Sequence, residues 1–489
     1  MYFWRYREPV CELLEELTGN RQHYAMICPG GVRRDIDLKK MKPKILKVMR
    51  EIKEPIAKIA DAVAGDKLVK ARMRGVGILT RQDAIKYCTV GPTARGSGLK
   101  IDVRADEPYA AYKELGVDVK KKGIESFKSV VNNLYPGAFC VIQRDPVDSD
   151  TGLVVHTDSA GSKPIQAYIG YKETCDAGWF SGLAQDALAM NINDIVCVAA
   201  TPVSFVDYVA FNTLLIDRVE MLAALSRGFG ACLEVLESEG TPVLFAGGET
   251  ADLPDLLRTL DVCVTMFGRV PLSKVVSGEA IKPGDKIIGV RSGGKIRYEK
   301  GVNSGIMSNG HTLARSCLMK PDYVKKYPEV SHPARGRYTG RYEFTDHIDM
   351  LDMTLGEALL CPTRLFSPIA LKVLEKHGSG VHGMVHNTGG GNTKCLRLGK
   401  GIKYVKNMPK HDPIFDLIQR ESGVEWREMY QDFNMGVGFE FIIDPDEAED
   451  VLSVVDGFGV GASIIGECME SKAENSLLIN SLNGKFEYS

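Results

Sequence analysis

The chain of 489 residues is 44% hydrophobic and 25% charged, which excludes disordered and fibrous classes and suits two to four globular domains of roughly 100–200 residues each. Its net charge of −2 hides an asymmetry: residues 1–112 hold 22 Lys and Arg against 14 Asp and Glu, a surplus of +8, so residues 113–489 carry −10. The 12 cysteines include no C-x-x-C pair and come no closer than Cys11 and Cys28, so they read as buried small hydrophobes of a reducing cytoplasm, not as zinc or disulfide frameworks.

The opening MYFWRYREPV lacks the charged-then-apolar pattern of an export signal. Arg7 to Thr18 sets Val10, Leu13, Leu14 and Leu17 at helical spacing before Gly19-Asn20, and Leu38 to Ala64 is a Lys-rich helix whose apolar face runs from Ile45 to Ala60. Its lysines form a solvated face and call for no nucleic acid. Arg7-Glu-Pro-Val-Cys-Glu-Leu-Leu-Glu-Glu-Leu-Thr-Gly-Asn-Arg21, Gly30-Gly-Val-Arg-Arg-Asp35, Gly75-Val-Gly-Ile-Leu-Thr80 and Val90-Gly-Pro-Thr-Ala-Arg-Gly-Ser-Gly98 follow. Together these segments resemble the interior of the large subunit shared by nickel-iron hydrogenases and the respiratory NADH dehydrogenase. That family's hydrogenases hold nickel with two cysteine pairs. Both pairs are missing here, so residues 1–112 are expected to be catalytically silent, with docking to a redox complex as their alternative use.

From Tyr112 helices and strands alternate. Lys122 to Asn133 is predicted as a helix and Leu153 to Thr157 as a strand running into His156-Thr-Asp-Ser-Ala-Gly-Ser-Lys163. Trp179 to Met190 is predicted as a helix, Ile195 to Ala200 as a strand and Arg218 to Glu239 as a long amphipathic helix. The apolar stretch Ile195 to Phe211 contains Pro202 and Asp207, which argues against a membrane span. Strand Val243 to Ala246 leads into Gly247-Gly-Glu-Thr250, and Lys282-Pro-Gly284 marks a boundary before strand Lys286 to Val290. Farther on, Ser367-Pro368 opens a helix closed by Gly378. Gly383 to His386 and Phe439 to Ile443 complete the strands. The Arg- and Tyr-containing stretch Lys320 to Asp349 reads as a surface insertion.

Gly289-Val-Arg-Ser-Gly-Gly-Lys-Ile296 nearly spells a P-loop, but Ile stands where a hydroxyl must reach Mg²⁺. More telling are the polar or glycine groups placed at the ends of apolar strands: Asp158, Asn193-Asp194, Gly247-Gly-Glu249-Thr250 with Asp252, and Thr388-Gly-Gly-Gly391. Hard oxygen ligands at strand edges suit Mg²⁺ on a nucleotide, and glycine turns let backbone N–H groups approach phosphate.

These motifs, with Asp186-Ala-Leu-Ala-Met-Asn-Ile-Asn-Asp194, Phe205-Val-Asp-Tyr208, Ser308-Asn-Gly310, Pro362-Thr-Arg364 and Met429-Tyr-Gln-Asp-Phe-Asn-Met-Gly-Val-Gly438, resemble the aminoimidazole ribonucleotide synthetase (phosphoribosylformylglycinamidine cyclo-ligase) family, in order, from residue 112 almost to the end. The resemblance implies an α/β fold of two α+β domains with strands pairing across a homodimer, preceded by the mainly helical N-terminal module. The expected divisions are 1–112, 113–281 and 282–489. It also implies a cytoplasmic purine-pathway enzyme that uses ATP and Mg²⁺ on a small-molecule substrate.

By the same resemblance Asp158, Asn193 and Asp194 take Mg-ATP, with Glu249 and Asp252 as further ligands, and Gly247, Gly248 and Thr250 line the nucleotide. Lys163 faces phosphate, so that Asp194, Lys163 and Asp158 are the catalytic set. Ser308, Asn309, Arg364, Gly389, Gly390 and Gly391 serve the ribose phosphate of the substrate. Departures from the pattern are Ser159 and Ser162 in the first loop, Met307 where a histidine is usual, and the shortened Tyr135-Pro-Gly-Ala-Phe139. The related hydrogenase-maturation carbamoyl dehydratase works through a C-terminal cysteine, whereas this sequence closes on Lys485-Phe-Glu-Tyr-Ser489. It is the weaker alternative.

Overall fold

The computed structural model describes residues 2–19, 21, 27–28, 31–32, 38–73, 79–80, 83, 127, 130–332, 337–471 and 473–489. The chain divides into two compact units, Met1–Asp106 and Glu107–Ser489. In the first, helices α1 (Tyr2–Thr18) and α2 (Leu38–Gly65) are in contact, α3 (Lys67–Met73) follows, and β1 (Ile27–Cys28) pairs antiparallel with β2 (Gly31–Val32). Both helices predicted from periodicity are present. Of the four resemblance segments, most of Gly30 to Asp35 and Gly75 to Thr80, and all of Val90 to Gly98, lie outside the described residues, as does most of the helix expected over Lys122 to Asn133.

The second unit is mixed α/β. Its first half runs β3 (Gln143–Arg144), β4 (Thr151–Ser159), α4 (Lys163–Thr174), α5 (Ser181–Val196), β5 (Thr201–Phe211), α6 (Arg218–Ser238), β6 (Leu244–Asp252) and β7 (Leu260–Pro271), with the strands in the order β3-β4-β7-β5-β6. Only β5 and β6 are parallel among these neighbours. Period-2 alternation on β7 sends Leu260, Val262, Val264, Met266 and Val270 into the core beneath α5. Each fully buried side chain of this size is worth roughly 1.5–3 kcal/mol.

The second half contains β8 (Lys286–Arg291), α7 (His311–Leu318), α8 (Asp322–Lys326), β9 (His347–Ile348), β10 (Met353–Thr354), α9 (Leu355–Leu360), α10 (Ser367–His377), β11 (Val381–His386), β12 (Ile402–Asn407), α11 (Pro413–Ser422), α12 (Trp426–Asp432), β13 (Val437–Ile443), α13 (Ala448–Asp456), β14 (Ala462–Glu470), β15 (Ser476–Ser481) and β16 (Gly484–Tyr488). Seven strands form one sheet in the order β11-β13-β8-β14-β12-β15-β16. Strands β11 and β13 are buried along their whole length because both faces are covered. Phe439, Phe441 and Ile443 meet α10 and α13, while Val437 and Ile442 face the core shared with the first half.

Two predictions are corrected. Ile195 to Ala200 is not a strand: α5 runs to Val196 and β5 begins at Thr201, so Asn193 and Asp194 occupy the last turn of a buried helix. An apolar run of this length satisfies helix and strand equally well, and here α5 is buried on nearly every side. Likewise Gly247 to Asp252 is no loop but part of the edge strand β6. Within the 320–349 insertion Tyr338 is buried and Arg341 is paired with Glu421.

Candidate active site

Helix α5 carries four polar residues that the fold buries, Asp186, Asn191, Asn193 and Asp194, and buried polar groups must find partners. Asn191 donates from Nδ2 to the carbonyls of Ala187 (2.8 Å) and Asp158 (3.1 Å), which leaves its Oδ1 to accept from Nδ1 of His156 at 2.9 Å. The other ring nitrogen of His156 faces Asp194 Oδ2 at 3.6 Å. Asp194 Oδ1 accepts from Nδ1 of His386, at the end of β11, at 2.6 Å. Nε2 of that ring is 3.4 Å from the amide nitrogen of Asn193, so His386 is set up as a neutral tautomer, and burial pushes its pKa down although Asp194 opposes this.

Lys394 completes the group. Its ammonium donates to the His386 carbonyl (3.1 Å) and to Thr388 Oγ1 and lies 4.9 Å from the centre of the Phe139 ring. Burial works to raise the Asp194 pKa, but Lys394, His386 and His156 outweigh it and hold the carboxyl at about 2. Asp158 lies half-buried on β4, accepts from its neighbour Ser159 N at 2.8 Å, and acts electrostatically on His386. A carboxylate kept ionised inside a histidine and lysine shell is therefore assembled from β4, α5, β11 and the turn after it.

A second node forms two turns earlier on α5. Asp186 Oδ1 accepts from Lys163 Nζ (2.8 Å), Ser308 Oγ (2.8 Å), Thr363 N (2.7 Å) and Thr363 Oγ1 (2.8 Å). Lys163 also reaches the Cys361 carbonyl at 2.5 Å and is fully buried, so its ammonium faces a carboxylate of its own chain, not the expected phosphate. Asn193 is likewise spent: its Oδ1 accepts from Phe366 N (2.8 Å) and Ser367 N (3.1 Å) at the start of α10, and its Nδ2 also donates to the Arg364 carbonyl (2.9 Å). That is a cap supplied from another helix, and it leaves no oxygen lone pair placed for a metal.

Arg364 has no free donor. It grips Glu299 with Nε (3.0 Å) and Nη2 (2.8 Å) and gives its remaining hydrogens to the carbonyls of Arg291, Gly293 and Gly294, so its buried guanidinium holds the 291–294 loop and not a ribose phosphate. Gly389 is open, whereas Gly390 and Gly391 have positive φ, and a Cβ on Gly391 would lie 2.5 Å from the Phe433 carbonyl. Beneath this loop, the buried pair Lys406–Glu440 (2.7 Å) holds both ends, through Asn387 Nδ2 to Glu440 (2.8 Å) and Lys406 Nζ to the Asn392 carbonyl (3.0 Å).

The five expected metal ligands do not meet at one point of one chain. Asp158 stands opposite Val264, Val264 opposite Asp207 and Asp207 opposite Gly248, three strand spacings or about 14 Å across the sheet. Glu249, one residue on along the exposed edge strand, leaves from the other face, and Asp252 is paired with Arg218 at 3.0 Å. Among the described residues no group of three or more His, Cys, Asp and Glu is gathered as a metal site.

Residues 138–270 match the model of the N-terminal domain of AIR synthase related proteins and residues 282–478 that of their C-terminal domain. The chain belongs to the AIR synthase-related family. The phosphoribosylformylglycinamidine cyclo-ligase of Methanocaldococcus jannaschii is 30% identical over 383 residues, 76% of this chain and 95% of that one. The same-named protein of Methanothermobacter thermautotrophicus is 33% identical over 329 residues, 67% of this chain and 83% of its own. Residues 1–124 match the 49 kDa subunit of the respiratory-chain NADH dehydrogenase. Among solved structures, a HypE–HypF complex aligns with TM-score 0.45 and 16% identity over 75% of this chain and 98% of that one, and Thermotoga maritima PurL complexed with ADP with 0.42 and 16% over 78% and 50%.

In this AIR synthase-related chain the motifs legible in sequence supply Asp158 and Asp194, but His386 and Lys394 had no role assigned. The available signal was a histidine closing an apolar strand directly before Asn-Thr-Gly-Gly-Gly, and a lysine three residues after it. For a divalent cation the donor set fits in part: Asp194 is ionised and Asp158 is an accessible hard oxygen donor, whereas Asn193, Glu249 and Asp252 are engaged or remote.

Proposed function

We propose that the chain closes the imidazole ring of aminoimidazole ribonucleotide from formylglycinamidine ribonucleotide at the expense of ATP. The observation that carries the reading is the ionised Asp194 held by His156, His386 and Lys394, in a chain whose curated relatives bear the cyclo-ligase name. An amide oxygen is a poor leaving group. ATP phosphorylates the formyl oxygen, the amidine nitrogen forms the new C–N bond, and phosphate departs with the old oxygen.

Asp158 and Asp194 are the residues to hold Mg²⁺, which when bound would neutralise charge on the nucleotide phosphates. Lys394, anchored on Thr388 and the His386 carbonyl, offers a fixed positive charge beside the glycine turn. His156 donates from Nδ1 to Asn191 Oδ1, and with a second hydrogen on Nε2 it draws on Asp194 Oδ2 at 3.6 Å. The divisions 1–112, 113–281 and 282–489 follow from this reading. Val155, Val206 and Tyr208, exposed on β4 and β5, support a homodimer formed over that sheet. Ten cysteines among the described residues are free, which suits the cytoplasm, and no described helix is long and apolar enough to cross a membrane. Docking to a redox complex through residues 1–112 rests on the NADH dehydrogenase match alone.

Full-length protein given formylglycinamidine ribonucleotide, Mg²⁺ and ATP should release ADP, phosphate and an aminoimidazole. ADP release that does not depend on the ribonucleotide would sink the proposal.

A further inference from the structure

Asp432 ends helix α12 with only 3% of its surface exposed, and neither carboxylate oxygen has a hydrogen-bond partner. Its surroundings are hostile to a negative charge. The end of a helix carries the negative pole of the backbone dipole, and Glu428, one turn earlier on the same face, is also buried. Burial first, and the Glu428 charge second, push the Asp432 pKa well above the usual carboxylate range, with no Lys, Arg or His acting against them. Protonation removes the charge but still leaves the second carboxyl oxygen buried without a donor, which is also costly.

The adjoining loops add acceptors. Asn309 donates from Nδ2 to the Asp432 carbonyl at 3.1 Å, which fixes its amide orientation and leaves Oδ1 buried and unbonded. Gly310 abuts the Phe433 ring, and the Gly391 turn stands against the carbonyls of Tyr430, Gln431 and Phe433. Every unspent buried side-chain atom of residues 309, 431 and 432 is an oxygen. Among these three side chains an anion would meet acceptors only, which is the wrong sign for the ribose phosphate expected at Asn309.

We propose that Asp432, with Asn309, is the specificity site for the amidine of the substrate, a planar cation whose N–H groups match a carboxylate edge on. This rests on the cyclo-ligase reading and deepens it. Planar N–H donors pair with carboxylates in bidentate fashion, and a site built around a donor rejects analogues that lack it. The natural discriminating ligand is formylglycinamide ribonucleotide, in which an amide replaces the amidine and the rest of the molecule is unchanged.

The test is calorimetric binding of both ribonucleotides to the full chain. Wild type should bind the amidine at least about tenfold more tightly than the amide, Asp432→Asn should bring the two within about threefold, and Asp432→Glu should restore the preference in part. Thermal unfolding confirms that each variant is folded, and Asp432→Ser replaces Asp432→Asn if the latter is not. A folded uncharged variant that keeps the tenfold preference overturns this assignment alone, as does a wild type that binds both compounds equally. A wild type that binds neither overturns the cyclo-ligase reading and the assignment with it.

Discussion

Asp186 and Asp194 are carboxylates on one buried helix, eight residues or about 12 Å apart, and the fold uses them in opposite ways. Asp186 draws four donors from three other segments onto a single oxygen and neutralises a lysine that cannot reach solvent. Asp194 is held by two imidazoles and the field of a lysine, with Oδ1 on His386 at 2.6 Å and Oδ2 facing His156 at the longer distance of 3.6 Å. The contrast teaches that burial alone does not mark an active carboxylate. What matters is whether its partners are saturated and fixed or titratable and open to a ligand.

The comparison breaks most sharply at Lys163. Lys163→Met leaves Asp186 as an uncompensated buried charge and should cost about 3–5 kcal/mol of unfolding free energy, read by urea denaturation; a loss below 1 kcal/mol would mean the node is dispensable. Asp194→Asn should act on turnover instead, lowering kcat by at least about a hundredfold (roughly 2.7 kcal/mol) while the protein stays folded in thermal melts.

The pH dependence sharpens the same point. The folded pKa of Asp194, about 2, lies below the unfolded value of 3.8, so its stabilisation is complete above the unfolded pKa and disappears as pH falls through about 4 to 2. Wild type should lose about 2 kcal/mol more than Asp194→Asn between pH 5 and pH 2. Equal losses in paired denaturation curves would contradict the ionised shell. The smallest effect belongs to the exposed Arg218–Asp252 pair, where Asp252→Ala should change stability by about 0–1 kcal/mol in urea denaturation.

Much of the architecture was readable because periodicity is local. Arg218 to Glu239 and Leu38 to Ala64 were bounded to within a residue, and the strands at Lys286 and Phe439 lie where alternation and turns put them. The site was only half readable. Asp158 and Asp194 could be named from motifs, but the pairing of Asp194 with His386 spans 192 residues, and no window along the chain contains it. Lys163 shows the reverse failure. A lysine after a glycine turn advertises phosphate, and only the packing of α5, with Asp186 on its buried face, reveals where its charge is spent.

The last turn of α5 has one more consequence. Asn193 fastens the start of α10 while its neighbour Asp194 points to β4 and β11, and Asp186, two turns back, collects the 308 and 363 loops. Inserting or deleting one residue between Asp186 and Asn193 would rotate one end against the other by about 100° and forfeit one set of attachments. Within that stretch Asn191 is itself tied to His156 and to the Asp158 carbonyl, so the spacing of the helix acts as a ruler that sets three attachments at once.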